Sequence, residues 1–320
     1  MNIQRWIARR EPNWKQLDAI LQKTQKKGLK SLQSSEIHEL ASLYRSVSAD
    51  LSRAKTHQLG TTLIRDLQQL TSRSYSQIYQ GSRRQEWQGI WEFYSWRFPT
   101  IIQETWGYII VATALFLLGA LVAWWYAWQD PTFMSLIVPE YLIVKVRDEH
   151  KLWMGSILGV EPLASSNIMI NNISVAFTAI GGGITVGIVT IYILLFNGLL
   201  IGAIGALVGQ NNLAYPFWAF VFPHGSLELP AIFLAGAAGL LIARSLLFPG
   251  QYRRIDALKF YGFQAAQLVF GIIPMLILAG IIEGFLSPSP LIPSVLKYLI
   301  GMIIFSLLMI YFSRQKISIS

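Results

Sequence analysis

Residues 168–208 contain no charged side chain, and only small or polar residues interrupt their apolar run. As one straight helix, about forty residues would reach ~60 Å, twice the ~30 Å of a bilayer's hydrocarbon. The run must therefore fold back on itself, and a chain that carries it is built from membrane-crossing helices. Asn197-Gly198 is the best turn candidate in the stretch. It would separate a span near 173–196 from another that starts near Leu199. Gly181-Gly182-Gly183 is a rival break.

The composition agrees. The chain is 53% hydrophobic but only 13% charged, against roughly 25% charged in soluble domains. Further spans are expected near 106–128, 229–248, 263–285 and 294–312. The first ends in Trp124, Trp125, Tyr126 and Trp128, an aromatic belt suited to a membrane interface. Pro274 should kink the third of these, which carries Glu283 near its outer end. Residues 129–167 hold five acids and three bases, as an outer segment does. Within it, 133–146 and 152–160 are apolar but too short to span, so they read as amphipathic helices on the outer surface. The fold class is all-α: a polytopic bundle of five to six spans behind a soluble helical domain.

That domain is residues 1–105, with 106–320 as the transmembrane bundle. Glu11-Pro12 precedes a helix carrying Trp14, Leu17, Ile20 and Leu21 on one face. Lys26, Lys27, Gly28 and Lys30 mark a break. Ser34-Ser35-Glu36 opens a second helix through Leu40, Leu43, Val47 and Leu51, and a third runs near 61–78. Trp87, Trp91, Trp96 and Arg97 suit an interfacial connecting helix. The 1–105 segment carries 16 of the 26 basic residues and 9 of the 17 acidic ones. A basic domain beside a membrane marks the cytoplasmic side, where anionic lipid headgroups are its expected partner. This places a multi-pass chain in a bacterial inner or internal membrane with both termini cytoplasmic. No nucleic-acid motif accompanies the charge, so no nucleic-acid partner is expected. The first residues, MNIQRWIARREP, lack the apolar core of a signal peptide. There is no cysteine, and the four histidines are scattered without an HxxxH pair. Neither a metal site nor a cofactor is expected.

Residues 220–229, FVFPHGSLEL, place Pro223, His224, Gly225 and Glu228 in a run that otherwise reads as membrane. Proline and glycine predict a break there, and with it a re-entrant element. His224 and Glu228 share a face if a helix begins at Gly225 or just before. Ionisable groups in a span face the protein interior or a wet cavity. Three readings stand open: a hydrogen-bonded pair that pins the turn, a proton or substrate site, and a metal or hydrolytic site. No second histidine and no serine or aspartate paired with a base accompanies the third.

Gly183-x3-Gly187, Gly198-x3-Gly202 and Gly205-x3-Gly209 have the small-xxx-small spacing that lets helix backbones approach closely. They serve packing within the chain or a homodimer seam. Asn171, Asn172 and Asn197 need partners across helices, because an unpaired amide is costly in lipid. They act as structural glue or share a polar cavity with His224 and Glu228.

Together these residues resemble the stage II sporulation protein M family, in a long form with an N-terminal helical domain. The match rests on Arg9-Arg10, Trp14-x2-Leu17, Glu39-Leu40, Leu43-Tyr44-Arg45 and Asp50-Leu51 in the soluble part. In the membrane part it rests on Asn171-Asn172-Ile173, Gly183-x3-Gly187, Asn197-Gly198-x3-Gly202, Pro223-His224-Gly225-x2-Glu228 and Gly236-x2-Gly239. The resemblance implies a membrane anchor that recruits partner hydrolases in envelope remodelling and is not itself an enzyme. The expected function is a non-enzymatic, homodimeric membrane scaffold. The alternative is a transporter or channel-like component with a polar site at His224 and Glu228.

Overall fold

A computed structural model describes residues 3–27, 32–154 and 161–315. Every regular element among them is helical. The chain divides into two compact units, Met1–Glu92 and Phe93–Ser320.

The first unit is three helices: α1 (Ile3–Lys27), α2 (Ser34–Thr56) and α3 (Thr61–Glu92). Leu17, Leu21, Leu40, Val47, Ala54 and Leu67 close a core of their own. Of the expected break, Lys26 and Lys27 stay in α1, and Gly28 and Lys30 fall outside the described residues. Pro12 does not open α1, as the sequence predicts, but sits inside it. The added first turns carry Arg10, whose Nε donates to both oxygens of the fully buried Asp50 at 3.0 and 2.8 Å. Trp14 Nε1 donates to the same carboxylate at 3.0 Å. Glu36 accepts from the Gln33 N–H at 2.8 Å and from Lys23 Nζ at 2.6 Å. The lysine first, then the backbone N–H, hold its carboxyl below the usual range.

The second unit opens with a π-helical turn, Phe93–Arg97, and α4 (Phe98–Glu104). The unit boundary thus places 93–105 with the bundle rather than with the first three helices. Phe98 is buried in the face of Gly271. Arg97 Nε donates to Gln267 Oε1 at 3.1 Å, and Gln103 Nε2 donates to the Phe312 carbonyl at 2.8 Å.

Among the described residues, six helices are long and apolar enough to cross a membrane. They are built on α5 (Trp106–Gln129), α8 (Glu161–Gly181), α9 (Ile188–Gln210), α10 (Ala214–Leu247), α11 (Arg254–Ile281) and α12 (Ser294–Phe312). Two short helices, α6 (Pro131–Ile137) and α7 (Glu140–Arg147), follow α5. The expected helix over 133–146 is therefore two pieces, parted at Val138 and Pro139. Of the expected helix over 152–160, residues 155–160 lie outside the described set. Met134, Val138, Leu142, Ile143 and Val146 bury themselves against Ala203, Leu207 and Phe217, so α6 and α7 pack over the bundle.

Two expected breaks are corrected. The fold-back in 168–208 is at the rival glycines, not at Asn197-Gly198. A 3-10 turn, Gly182–Thr185, leads into Val186 (φ 60°) and Gly187 (φ 86°), both left-handed. Glycine reaches that region without strain, and two such residues in succession redirect the backbone. Asn197 stays helical and donates Nδ2 to the Ile193 carbonyl at 2.8 Å. The second correction concerns residues 220–229. There is no re-entrant element, because α10 runs unbroken for 34 residues through Pro223, Gly225 and Pro230. Proline removes one backbone donor, but unwinding in hydrocarbon would expose several polar groups at several kcal/mol each. Ser226 Oγ donates to the Pro223 carbonyl at 2.8 Å.

The glycines set helix spacing. A Cβ on Gly198 would strike the Phe116 carbonyl, and one on Gly202 the Ala120 carbonyl, so α5 and α9 touch backbone to backbone. A Cβ on Gly183 would strike the Gly239 carbonyl and the Ile242 side chain of α10. Gly187 faces Ala243, Gly209 faces the Trp128 ring, and Gly205 has ordinary contact with Trp218. These positions are used for packing within the chain, so the seam offered for a homodimer is already occupied.

Candidate functional site

His224 is on α10, with its side chain 6% exposed. It lies about 14 Å along the helix from Tyr215, and Glu228 lies one turn further in. The unbroken helix places both on one face, as i,i+4 spacing requires. Its third companion comes from elsewhere. α11 ends at Ile281 and passes into a π-helical turn, Ile282–Leu286, that contains Glu283. π-turns are rare and recur at functional sites, because the inserted residue re-aims its neighbours. Here Gly284 packs against Ser165 of α8, whose Oγ donates to the Gly280 carbonyl at 2.8 Å. The turn leaves Glu283 Oε2 3.9 Å from His224 Nε2. Donor atoms of His224, Glu228 and Glu283 all lie within 4.8 Å of one another.

The three line a cavity of about 480 Å³. Asn171 and Asn172 of α8 line it too, joined by Asn167, Trp153, Phe217 and Gly225. The sequence therefore names His224, Glu228, Asn171 and Asn172 as neighbours, and the fold brings them together. Asn197 is not among the lining residues; its amide is spent on its own helix. Pro223 is buried in α10 and is not a lining residue either.

Sequence reasoning missed three contributors. Glu283 is visible only as an acid near the end of a span. Asn167 looks like part of a polar lead-in. Ser287 looks like the start of a Ser-Pro loop, yet its Oγ lies 3.0 Å from His224 Nδ1 and it is fully buried. The expectation that no serine meets a base is thus corrected. The close approach does not make a nucleophile, since Ser287 has no exposed surface for a substrate to reach. Its carbonyl accepts from Lys297 Nζ at 2.6 Å, which ties α12 to the same turn.

Electrostatically the cavity is unusual for hydrocarbon depth. No lysine or arginine among the described residues forms an ion pair with Glu228 or Glu283. Carboxylates in a low-dielectric site must be neutralised by a proton, a cation or a ligand, because their desolvation is costly. The arrangement can therefore hold a cation, exchange a proton, or donate and accept hydrogen bonds through its amides.

Basic groups gather at other places in the bundle. Arg314 stacks 4.8 Å from the Trp96 ring centroid, and Arg244 stacks 5.2 Å from that of Tyr261. Arg97 pairs with Glu104 at 3.0 Å.

The family model described as stage II sporulation protein M matches residues 112–288, more than half of the chain. A second model, a domain of unknown function (DUF8413), matches residues 4–80. The uncharacterized protein MJ0793 of Methanocaldococcus jannaschii is 28% identical over 127 residues, which cover 38% of this chain and 70% of that protein. No solved structure matches. The matched span holds His224, Glu228, Glu283 and every cavity-lining residue named above. The chain belongs to the stage II sporulation protein M family.

Proposed function

We propose that this protein is a non-enzymatic membrane scaffold. The bundle fixes it in the membrane, and the N-terminal unit offers partner proteins a docking surface in envelope or membrane remodelling. One observation carries the reading: Met1–Glu92 is a compact unit with its own closed hydrophobic core, attached to a bundle of six candidate spans. A unit that needs no other core to fold is free to serve recognition. The family description, a sporulation-stage protein, supports a role in envelope remodelling.

In this reading both termini are cytoplasmic. An even number of crossings returns the chain to its starting side, and Arg97 and Arg314 at the two ends of the bundle follow the positive-inside bias. The N-terminal unit then lies near anionic headgroups. A homodimer would have to use faces other than the glycine seam. To test the scaffold, a photo-crosslinking residue is placed at exposed Ile37 and activated in native membranes. A discrete protein adduct is expected. Adducts to lipid alone would sink the idea.

A second reading is a transporter or channel-like component, and the polar cavity around His224, Glu228 and Glu283 favours it. Scaffolds do not require unpaired acids at that depth. Glu228→Gln protein that folds normally but loses proton or ion flux in reconstituted vesicles would favour transport. Unchanged flux, or none in the wild type, would favour the scaffold.

A further inference from the structure

We propose that His224, Glu228 and Glu283 form a binding site for one divalent metal ion of the zinc or manganese class. Three donors converge from α10 and from the π-helical turn after α11, within 4.8 Å of one another. In a tetrahedral centre with bonds of about 2.0–2.1 Å, donors stand about 3.4 Å apart. His224 Nε2 and Glu283 Oε2 stand 3.9 Å apart, so small side-chain rotations close the set.

The imidazole is prepared for the task. Its Nδ1 is engaged by Ser287 Oγ at 3.0 Å, and with the proton on Nδ1 the Nε2 lone pair points at the carboxylates. Metal-ligating histidines recurrently use the second nitrogen in this way, to fix tautomer and ring orientation. Ser287 is held in turn by Lys297 Nζ on its carbonyl. His224 is more than nine-tenths buried, yet the contact found for Nε2 is Glu283 at 3.9 Å, longer than a hydrogen bond. The His224 side chain lines the cavity together with both carboxylates.

Charge points the same way. Two carboxylates without a lysine or arginine partner are neutralised by one divalent ion. The donor set selects the class: one imidazole favours zinc and its neighbours, carboxylates favour manganese, and the chain has no thiolate to draw softer metals. The cavity continues past the three donors to Asn171 and Asn172, leaving room for water or an amide oxygen as a further ligand. Such an ion would cross-link α10 to the end of α11 whether the protein is a scaffold or a transporter.

The test uses the full chain, purified in detergent and stripped with a chelator. Folding after stripping is checked by circular dichroism and gel filtration. Zinc chloride and manganese chloride are titrated in separately by calorimetry, and bound metal is counted by mass spectrometry. The expected result is one ion per chain, with a melting temperature several degrees higher. Glu228→Gln and Glu283→Gln should each weaken binding at least about tenfold, and Ser287→Ala about tenfold through the imidazole alone. Asn197→Ala, whose amide is not in the cavity, should bind as the wild type does. If stripped, folded wild-type protein takes up less than half an ion of either metal, the site is refuted. It is equally refuted if both glutamine variants bind with wild-type affinity. Should one variant fail to fold, the other and the wild-type stoichiometry decide. The titration involves neither partners nor flux, so its failure leaves the scaffold and transport readings where they stand.

Discussion

His224 on α10 faces Glu283 across 3.9 Å, although the two stand far apart in the chain. Two bends make the meeting: the crossing of α10 with α11, and the π-helical turn that re-aims the glutamate. With Ser287 on its other nitrogen, His224 is the hub where α10 meets the end of α11.

Ser287→Ala should therefore destabilise the bundle as well as loosen the imidazole. It strips a buried histidine nitrogen of its partner, a loss of about 1–3 kcal/mol. Thermal unfolding in detergent would reveal it. An unchanged midpoint would mean that water or another group takes over the bond.

The α5–α9 contact predicts a graded series. Gly198→Ala and Gly202→Ala put a methyl into backbone carbonyls that have no rotamer to escape into. About 1–3 kcal/mol or more of overpacking should follow. Gly205→Ala meets only the Trp218 ring, at 3.5 Å, and should be tolerated. Folded yield and melting temperature would rank the three. If Gly198 and Gly202 instead tolerate alanine, the helices are further apart than described.

Gly187 and Gly181 should respond oppositely. Gly187 is left-handed at φ 86°, so Gly187→Ala should lose about 1–3 kcal/mol in backbone strain. Gly181 is right-handed with open space around its Cα, so Gly181→Ala should be neutral or gain up to ~1 kcal/mol. Equal effects at the two sites would contradict the placement of the fold-back.

In the N-terminal unit, Asp50→Ala removes the acceptor that Arg10 and Trp14 share. Arg10 is partly exposed and can return to water, so a loss of about 3 kcal/mol is expected rather than the upper range for a buried pair. Hydrogen exchange on the full chain should show faster amides in α1–α3 while those of α9 and α10 hold.

Acid should loosen the contact between α1 and α2. Lys23 and the Gln33 N–H lower the Glu36 carboxyl in the folded state. A depressed acid contributes stability above its unfolded value, near 4.3, and loses it as pH falls through the folded one. Glu36→Gln should flatten the acid limb of α2 exchange below about pH 4.5. An identical acid limb in both proteins would assign the lability elsewhere.

The sequence by itself determined the membrane class, the helical fold, most spans and the N-terminal helical unit. Each of these follows from hydrophobic period and length, which are local properties. It also named His224, Glu228, Asn171 and Asn172, because polar groups stand out against an apolar run. Only the tertiary structure decided where the chain turns and what completes the site. Asn197-Gly198 and Pro223-His224-Gly225 carry turn chemistry, but turn propensity is a preference set in water. In hydrocarbon the cost of exposed backbone groups keeps both stretches helical, and the turn falls at Val186-Gly187. Glu283 and Ser287 could not be assigned from their own neighbourhood. Their role arises from a helix crossing, and a crossing is fixed by which glycines let which backbones touch.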